Sequence, residues 1–235
     1  MIDIIYLAHN RLEFTRTTLP NLIANTNWNS VDRFIVYDDA SSDGTTEYLL
    51  NYEAPRFQVK TGEWGSPVAV MNDYLVNEGP NHSTFAKIDN DTMVPSGWLE
   101  SCLYVMDADP GLDLLGIEAF RPVQPGIIAR SYDPAQFIGG IGLMRVSAFR
   151  EAEYLPRPNG RQGFTQWQER HGRVRKGWLN PALPVFLLDW LPREPWLSLT
   201  AEYVEQGWSR DWHNIFPEVC PYPEDRNDLW SWWCE

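Results

Sequence analysis

The first half of the chain alternates short apolar runs with longer amphipathic segments. Four runs have the length and apolar content of buried strands: Ile2–Ala8, Phe34–Tyr37, Phe57–Val59 and Phe85–Ile88. Three segments between them have helical character: Leu12–Asn25, Thr45–Tyr52 and Ser66–Val76. Because strands and helices alternate, the pattern predicts an α/β fold with a mostly parallel sheet and helices on both faces.

The third helical segment has the clearest boundaries. Ser66 can cap its start, Pro67 suits the first helical position, and Gly79 can end it. The first segment is less regular, because Pro20 falls inside it and a proline there should kink or end a helix.

The second half of the chain has a weaker pattern. It predicts a helix, a strand, and a glycine-rich strand or turn, at Trp98–Met106, Leu112–Ile117 and Phe137–Met144 in that order. Prolines then become frequent, and the last stretch holds many of the 12 tryptophans. The sequence therefore predicts one domain over residues 1–235, with an irregular, Trp-rich C-terminal lobe.

Composition excludes some classes of function. The chain has 19 Lys and Arg against 32 Asp and Glu, a formal charge of −13, so general nucleic-acid binding is disfavoured. Its 3 cysteines lack paired spacing, which favours a reducing compartment. No apolar stretch approaches the roughly 20 residues needed to span a bilayer. We therefore expect a soluble, cytoplasmic protein.

Polar clusters follow three of the predicted strands: Ala8-His9-Asn10, Asp38-Asp39 and Asp89-Asn90-Asp91. In parallel sheets, ligands bind beyond the carboxyl ends of the strands, so these clusters should meet at one edge. On an extended backbone Asp89 and Asp91 would point the same way, and their carboxylates suit Mg²⁺ or Mn²⁺. The simpler interpretation of this tripeptide is a strand-to-loop turn.

The ordered set of motifs resembles glycosyltransferase family 2, whose fold is called GT-A. The shared features are an Asn-Arg after the first strand, an Asp-Asp, Ser and Asp-Gly-Thr run after the second, and an Asp-Xaa-Asp after the fourth. They correspond here to Asn10-Arg11, residues 38–45 and Asp89-Asn90-Asp91. The segment from Gly139-Gly140 to Phe149 resembles the family's acceptor-side strand and helix. The resemblance covers roughly residues 2–150 and implies a Rossmann-like central sheet.

The family implies a metal-dependent transfer of a sugar from a nucleotide sugar, typically a UDP-sugar, with residues 1–110 binding the donor and residues 111–235 the acceptor. Asp39 would accept a hydrogen bond from the nucleobase, and Asp89 would lie near the ribose or the metal. Asp91 would bind Mn²⁺ or Mg²⁺ directly. The donor contacts implied by the resemblance are Ala8, His9, Asn10, Arg11, Asp38, Asp39, Asn72, Lys87, Asp89 and Asn90. For His9, a role as an ordinary loop histidine is at least as well supported.

The catalytic base is where the chain departs from its family. Many members carry an acidic pair some twenty residues after the Gly-Gly segment, and this chain does not. Asp189, after a strand-like run, is the preferred candidate, either as base or as an additional metal ligand, and Glu169, in a helix-like segment, is the alternative base. His213 is a candidate metal ligand from the C-terminal tail. Without a base, the inversion of anomeric configuration usual in the family would be in doubt.

Other interpretations remain open. A nucleotidyltransferase would also use metal-bound carboxylates, but it usually opens with a glycine-rich basic loop that residues 8–11 lack. A non-catalytic nucleotide-sugar or carbohydrate-binding protein is compatible with the missing acidic pair. The acceptor could be a hydroxyl on a glycan, a protein or a modified base. The tryptophans considered as acceptor platforms are Trp64, Trp98, Trp167 and Trp212, although core packing is expected for most of them.

Overall fold

The structure is a computed structural model that describes residues 1–117, 127–151, 164–183 and 185–188. The strands are β1 (Ile2–Ala8), β2 (Val31–Asp39), β3 (Phe57–Gly62), β4 (Thr84–Asp89), β5 (Thr92–Met93), β6 (Leu114–Gly116), β7 (Ser131–Ala135), β8 (Gly142–Arg145), β9 (Lys176–Asn180) and β10 (Phe186–Leu187). The helices are α1 (Leu12–Asn25), α2 (Thr45–Leu50), α3 (Pro67–Asp73), α4 (Trp98–Ala108), α5 (Val146–Glu151) and α6 (Phe164–Arg170). A short 3-10 turn (Trp28–Ser30) precedes β2, and a π turn (Tyr74–Glu78) extends α3.

One eight-stranded sheet forms the centre of the molecule, in the order β3-β2-β1-β4-β8-β6-β9-β7. The first four strands in this order are parallel to one another. β8 is antiparallel to both of its neighbours, and β7 is antiparallel to β9. The predicted α/β class with a mostly parallel central sheet is therefore confirmed. A separate antiparallel pair joins β10 to β5.

The register of the parallel strands aligns their carboxyl ends. Ala8 pairs with Asp38, Leu7 pairs with Asp89, and Asp39 pairs with Gly62. The chain runs outward from β1 to β3 and then returns to place β4 on the other side of β1. The gap beyond β1 and β4 is therefore the topological switch point, the usual ligand position in such sheets.

Two apolar cores cover the faces of the sheet. Alternate residues of β1 divide between them, with Ile4 and Tyr6 in one core and Ile5 and Leu7 in the other. Helices α1, α2 and α4 contribute to the first core, and α3, α5 and α6 contribute to the second. Because β1 is buried on both faces, it is almost continuously apolar, as expected of a central parallel strand.

Several predicted elements are confirmed at or near their expected limits. β1 and α1 have the predicted bounds, and α1 continues through Pro20 because its apolar face is buried against the sheet. At the start of α3, the Ser66 side chain accepts a hydrogen bond from the amide of Ala69 at 3.2 Å. Gly79, with φ 69°, ends the π turn that follows α3.

The second half differs more from the expectation. β7 and β9 were not predicted, and β7 contains Pro134, which weakens a strand signal but is tolerated on a sheet edge. Of the glycine-rich segment Phe137–Met144, only the last part joins a strand. The Trp-rich C-terminal lobe lies outside the described residues. Within the described ranges, no helix has the length and apolar character needed to cross a bilayer.

Phe85, in the interior strand β4, offers a direct test of the second core. The buried ring of Phe85 lies 5.0 Å from that of Tyr74 and 5.9 Å from that of Phe149, measured between centroids. Phe85→Ala should lower the free energy of unfolding by about 3–5 kcal/mol, because a cavity forms between two packed layers. Urea unfolding measures the change. Val76→Ala, at a side chain that is 61% exposed, is the control and should change it by no more than about 0.5 kcal/mol. Equal effects of the two changes would contradict the assignment of this core.

Candidate active site

The loop after β2 is organised around Asp38. This residue is buried, and its two carboxylate oxygens accept hydrogen bonds from the hydroxyls of Ser41 and Thr46. Both partners lie in the run of small polar residues that leads into α2. Asp38 therefore shapes the loop, and direct contact with a donor, which the sequence predicts, stays a prediction.

Asp43 connects this loop to the loop after β1. Its Oδ1 accepts hydrogen bonds from the Thr45 amide at 3.1 Å and the Thr45 hydroxyl at 2.6 Å. Its Oδ2 accepts one from the amide of Leu12, the first residue of α1, at 2.8 Å. One carboxylate therefore binds the amino ends of two helices, where a negative charge is favourable.

Asp39 lies at the carboxyl end of β2 and points toward the segment after β3. Its Oδ1 accepts hydrogen bonds from the backbone amides of Trp64 at 2.5 Å and Gly65 at 2.9 Å. The Trp64 ring packs edge-on against Tyr37, with centroids 5.2 Å apart, and leaves no room for a side chain at Gly62. The Asp39 carboxylate is therefore fixed in orientation beside a half-buried indole.

His9 and Asn10 hold the loop after β1 against the loop after β2. The Asn10 amide donates to the Ser41 hydroxyl at 2.7 Å, and the Asn10 side-chain oxygen accepts from the Ser42 amide at 2.8 Å. His9 Nδ1 lies 2.5 Å from the Asp39 carbonyl, and its Nε2 lies 3.2 Å from the Asn10 side-chain nitrogen. Because both ring nitrogens are engaged, His9 has the contacts of a loop histidine. Ala8 ends β1 and is buried.

The polypeptide turns directly after β4, which changes the predicted geometry of the Asp89-Asn90-Asp91 motif. β4 ends at Asp89, and Asn90 and Asp91 form a turn. The alternation of an extended strand therefore does not continue to Asp91. Asn90 is buried, and its side-chain amide donates to the Asn10 carbonyl at 2.9 Å and to Thr15 Oγ1 at 3.1 Å. Its contacts bind the turn to α1.

Asp91 lies against the loop after β1 and against the end of β10. Its Oδ2 lies 3.0 Å from Arg11 Nη1, and the two side chains are only 12% and 16% exposed. Its carbonyl accepts a hydrogen bond from the amide of Leu188 at 2.7 Å. The segment that contains β10 thus reaches the backbone of the last residue of the motif.

Asp89 is paired with a buried lysine. Lys87 Nζ lies 2.6 Å from Asp89 Oδ1, and the lysine side chain is 3% exposed. A Cβ atom at Gly140 would lie 3.2 Å from the same ammonium, so the glycine gives the lysine room. The contact places the Gly139-Gly140 segment beside Asp89, at the switch point between β1 and β4.

The chemistry of these donors fits a divalent cation. Two carboxylates after one strand supply hard oxygen ligands, and Mg²⁺ sites often hold one or two carboxylates plus substrate phosphates. Among the described residues, the one group of three acidic or histidine side chains with ligand atoms within 4.8 Å is Asp3, Asp32 and His82. That group is at the amino end of the sheet, where Arg33 pairs with Asp3 and His82 bonds Asp32 at 2.9 Å. These contacts account for the group without a cation.

The segment that leads into Gly139-Gly140 is held by α6. The buried side chain of Gln168 accepts from the Ile138 amide at 2.9 Å and donates to the Ile138 carbonyl at 2.8 Å. Ile138 directly precedes Gly139-Gly140, so α6 docks beside the site. Glu169, the next residue of α6, is exposed.

The other predicted residues separate into three groups. Asn72 lies on α3 and is half-buried. Trp98 and Trp167 are buried in the cores, whereas Trp64 lies beside Asp39. The predicted site residues Asp189, Trp212 and His213 lie outside the described residues.

Two residues that organise the site were not identified from sequence. Asp43 is part of the recognised Asp-Gly-Thr run, but the run alone does not reveal that it also binds α1. Gln168 appears in the sequence as one polar residue beside Glu169. The signal that could have distinguished Gln168 from Glu169 is its position next to Trp167, on the buried side of α6.

Comparison with known proteins agrees with this architecture. Residues 3–124, more than half of the chain, match the family model described as Glycosyl transferase family 2. No curated protein sequence matched the chain.

Similarity to solved structures concerns the fold. The chain resembles S. aureus TarS with a TM-score of 0.61 and 14% identity, over 93% of this chain and 45% of that one. TarS 1-349 in complex with UDP-GlcNAc aligns with a TM-score of 0.58 and 14% identity, over 77% of this chain and 56% of that one. TarS 1-349 in complex with UDP gives a TM-score of 0.58 and 12% identity, over 97% and 77%. The chain thus spans less than half the length of the first of these structures.

The Asp43 bridge predicts a pH-dependent contribution to stability. Burial raises the pKa of Asp43, but hydrogen bonds from Thr45 and from the Leu12 amide outweigh burial and lower it below its usual value of 3.8. A lowered pKa means that the stabilisation is complete above pH ~4 and is lost as the pH falls through the pKa of the folded state. Asp43→Ala should cost about 1–2 kcal/mol at neutral pH, and less in acid.

Urea unfolding of the wild type and the variant between pH 7 and pH ~3 measures this difference. Glu53→Ala, which removes an exposed acid, is the control. A difference between wild type and Asp43→Ala that stays constant with pH would contradict the bridge.

Proposed function

Since the chain belongs to glycosyl transferase family 2, we propose that it transfers a sugar from a UDP-sugar to a hydroxyl acceptor with a bound Mn²⁺ or Mg²⁺. The observation that carries this proposal is the position of two carboxylates on either side of β1: Asp39 ends β2, and Asp91 lies in the turn after β4. A nucleotide across this edge would place its base at one carboxylate and its diphosphate near the other.

Asp39 would select the nucleobase. Its Oδ1 is oriented by two backbone amides, and an ionised carboxylate has about four acceptor positions, so capacity for the imide N–H of uracil is retained. A carboxylate accepts but does not donate, which favours a base that presents an N–H. Trp64, fixed beside Asp39, would cover one side of the base.

The metal would be held by Asp91 and, from the other side of the turn, by Asp89. When bound, a divalent cation neutralises the charge that develops on the departing diphosphate. Lys87 adds a buried positive charge beside Asp89, and it keeps that carboxylate in place. Ala8, His9 and Asn10 would line the donor pocket mainly through the backbone, and Asn72 would be a further contact.

Asp189 is our preferred base for the acceptor hydroxyl. The preceding residue, Leu188, donates a hydrogen bond from its amide to the carbonyl of Asp91, which places the residue before this acid beside the proposed metal ligands. Glu169 is the alternative, since α6 docks on the segment before Gly139-Gly140. A base positioned opposite the diphosphate would give inversion at the anomeric carbon.

UDP-GlcNAc is the first donor to test, because one structure of similar fold was solved in complex with it. The acceptor would be a hydroxyl on a glycan, a protein or a modified base. Binding of UDP without any transfer or hydrolysis of the donor would instead indicate a nucleotide-sugar-binding protein.

Two substitutions test the division of labour between the carboxylates. Asp91→Ala should abolish the Mn²⁺-dependent part of UDP binding, because it removes the proposed metal ligand. Asp39→Ala should weaken UDP binding about 10–100-fold with and without Mn²⁺, equivalent to one lost charged hydrogen bond. Isothermal titration with UDP, with and without Mn²⁺, measures both effects.

The control for these variants is Asp107→Ala, at an exposed position near the end of α4. It should leave both affinities unchanged. If Asp91→Ala retained full Mn²⁺-dependent binding, the assignment of the metal site would be wrong.

The identity of the base is tested by kinetics. Asp189→Asn should lower the rate of sugar transfer by about 10²–10⁴-fold while UDP affinity is retained, since general-base catalysis supplies a factor of that size. Glu169→Gln is the matched variant, and it should leave the rate within a few-fold of wild type. The opposite pair of results would transfer the role to Glu169.

A further inference from the structure

The two peptide groups that flank Asp91 are each held by a hydrogen bond from a different element. The Asn90 carbonyl, in the peptide before Asp91, accepts from the hydroxyl of Thr18 on α1 at 2.9 Å. The Asp91 carbonyl, in the peptide after it, accepts from the Leu188 amide at 2.7 Å. Because peptide groups are planar, holding both of them fixes the backbone dihedrals of Asp91 and the direction of its Cα–Cβ bond.

We propose that Thr18 is a positioning residue for the metal site. By holding the peptide between Asn90 and Asp91, its hydroxyl sets the direction in which Asp91 presents its carboxylate. This inference rests on the proposed function, in which Asp91 binds the cation. Mg²⁺ binds oxygen ligands at about 2.0–2.1 Å in near-octahedral geometry, so its affinity depends on where a carboxylate points.

The Thr18 hydroxyl lies in a buried polar chain beneath the site. Thr18 and Tyr6 are both fully buried, and the Tyr6 phenol oxygen lies 2.8 Å from Thr18 Oγ1. The phenol can donate to this oxygen, which leaves the single hydrogen of Thr18 for a carbonyl. The chain thus connects the centre of β1 to the turn after β4.

Two carbonyl groups lie within hydrogen-bonding distance of Thr18 Oγ1. The Asn90 carbonyl is at 2.9 Å, and the Phe14 carbonyl, one helical turn earlier on α1, is at 3.1 Å. The Phe14 carbonyl already belongs to the helical hydrogen-bond pattern of α1. Asn90 lies in a turn, so the hydroxyl supplies the donor that a helix or a strand would supply elsewhere.

The other contacts of Asn90 hold the residue without reaching the peptide that follows it. Its amide donates to the Leu7 carbonyl, near the end of β1, at 2.9 Å. Its side-chain amide donates to the Asn10 carbonyl and to Thr15 Oγ1. Without the Thr18 hydroxyl, the Asn90 carbonyl would be left unpaired in the interior, which is costly. The peptide before Asp91 should therefore rotate while the turn stays in place.

The test removes the hydroxyl and keeps the shape of the side chain. Thr18→Val should bind UDP about tenfold more weakly than wild type when Mn²⁺ is present, because the carboxylate of Asp91 is no longer directed at the cation. Without Mn²⁺, its affinity for UDP should stay within about twofold of wild type. Calorimetry measures both affinities, and electron paramagnetic resonance should show an altered line shape for Mn²⁺ bound together with UDP.

Two variants separate positioning from packing and from stability. Thr18→Ser keeps the hydroxyl and loses the methyl group, so its affinity with Mn²⁺ should stay within about threefold of wild type. Thr26→Val removes another buried hydroxyl, which bonds the Leu22 carbonyl and accepts from Trp98 Nε1 at 3.2 Å. It should lower stability without changing either affinity for UDP.

Circular dichroism checks that each variant is folded. If Thr18→Val does not fold, Tyr6→Phe replaces it, since that change removes the oxygen that bonds Thr18 and little else. Tyr6→Phe should show the same selective loss of affinity with Mn²⁺, by about threefold. Unchanged affinity in Tyr6→Phe would then overturn the inference.

The outcomes distinguish this inference from the proposed function. If the wild type shows no Mn²⁺-dependent binding of UDP, both are wrong. If the wild type shows it and Thr18→Val retains it, or loses affinity equally with and without Mn²⁺, the positioning role alone is wrong. The same is true if Thr18→Ser loses as much affinity as Thr18→Val. A loss confined to Mn²⁺-dependent binding and restored by serine supports the role.

Discussion

The pairing of β1 with both β2 and β4 is the constraint on which the site depends. Backbone hydrogen bonds fix the register, so Ala8, Asp38 and Asp89 all lie at the same edge of the sheet. The apolar residues of β1 are buried on both faces, which prevents the register from slipping without exposing a core. The positions of the acidic residues thus follow from packing that involves none of them.

A second set of interactions fixes the loops beyond that edge. Asp43 binds the amino ends of α1 and α2, Asn90 binds the turn after β4 to α1, and Asn10 binds the loops after β1 and β2 to each other. Each is a short polar side chain that satisfies backbone groups no regular element can satisfy. Loops anchored in this way hold Asp39 and Asp91 in defined positions at the carboxyl edge of the sheet.

Sequence was a good guide where periodicity and burial agree. β1 and α1 were predicted with their observed bounds, and the loops after β1, β2 and β4 were expected to meet at one edge, as they do. Local patterns could not reveal β7, whose Asp133 and Pro134 are unusual for a strand and are tolerated because β7 is an edge. They could not reveal the contact of Lys87 with Gly140 either, since it depends on a distant strand. The turn at Asn90 and Asp91 is the simpler of the two interpretations that sequence offered, and hydrogen bonds from Asn90 to Asn10 and Thr15 stabilise it.

The small β5–β10 pair affects the order in which the molecule can fold. Its two strands lie far apart in sequence, yet together they bring Leu188 to the carbonyl of Asp91. Their separation in sequence is similar to that between β1 and β4, and what distinguishes the pair is that β10 is synthesised after all the strands of the sheet. During synthesis, β1, β2 and β4 can thus pair before β10 leaves the ribosome. The loop that carries Asp91 lacks its contact with Leu188 until that residue has been translated.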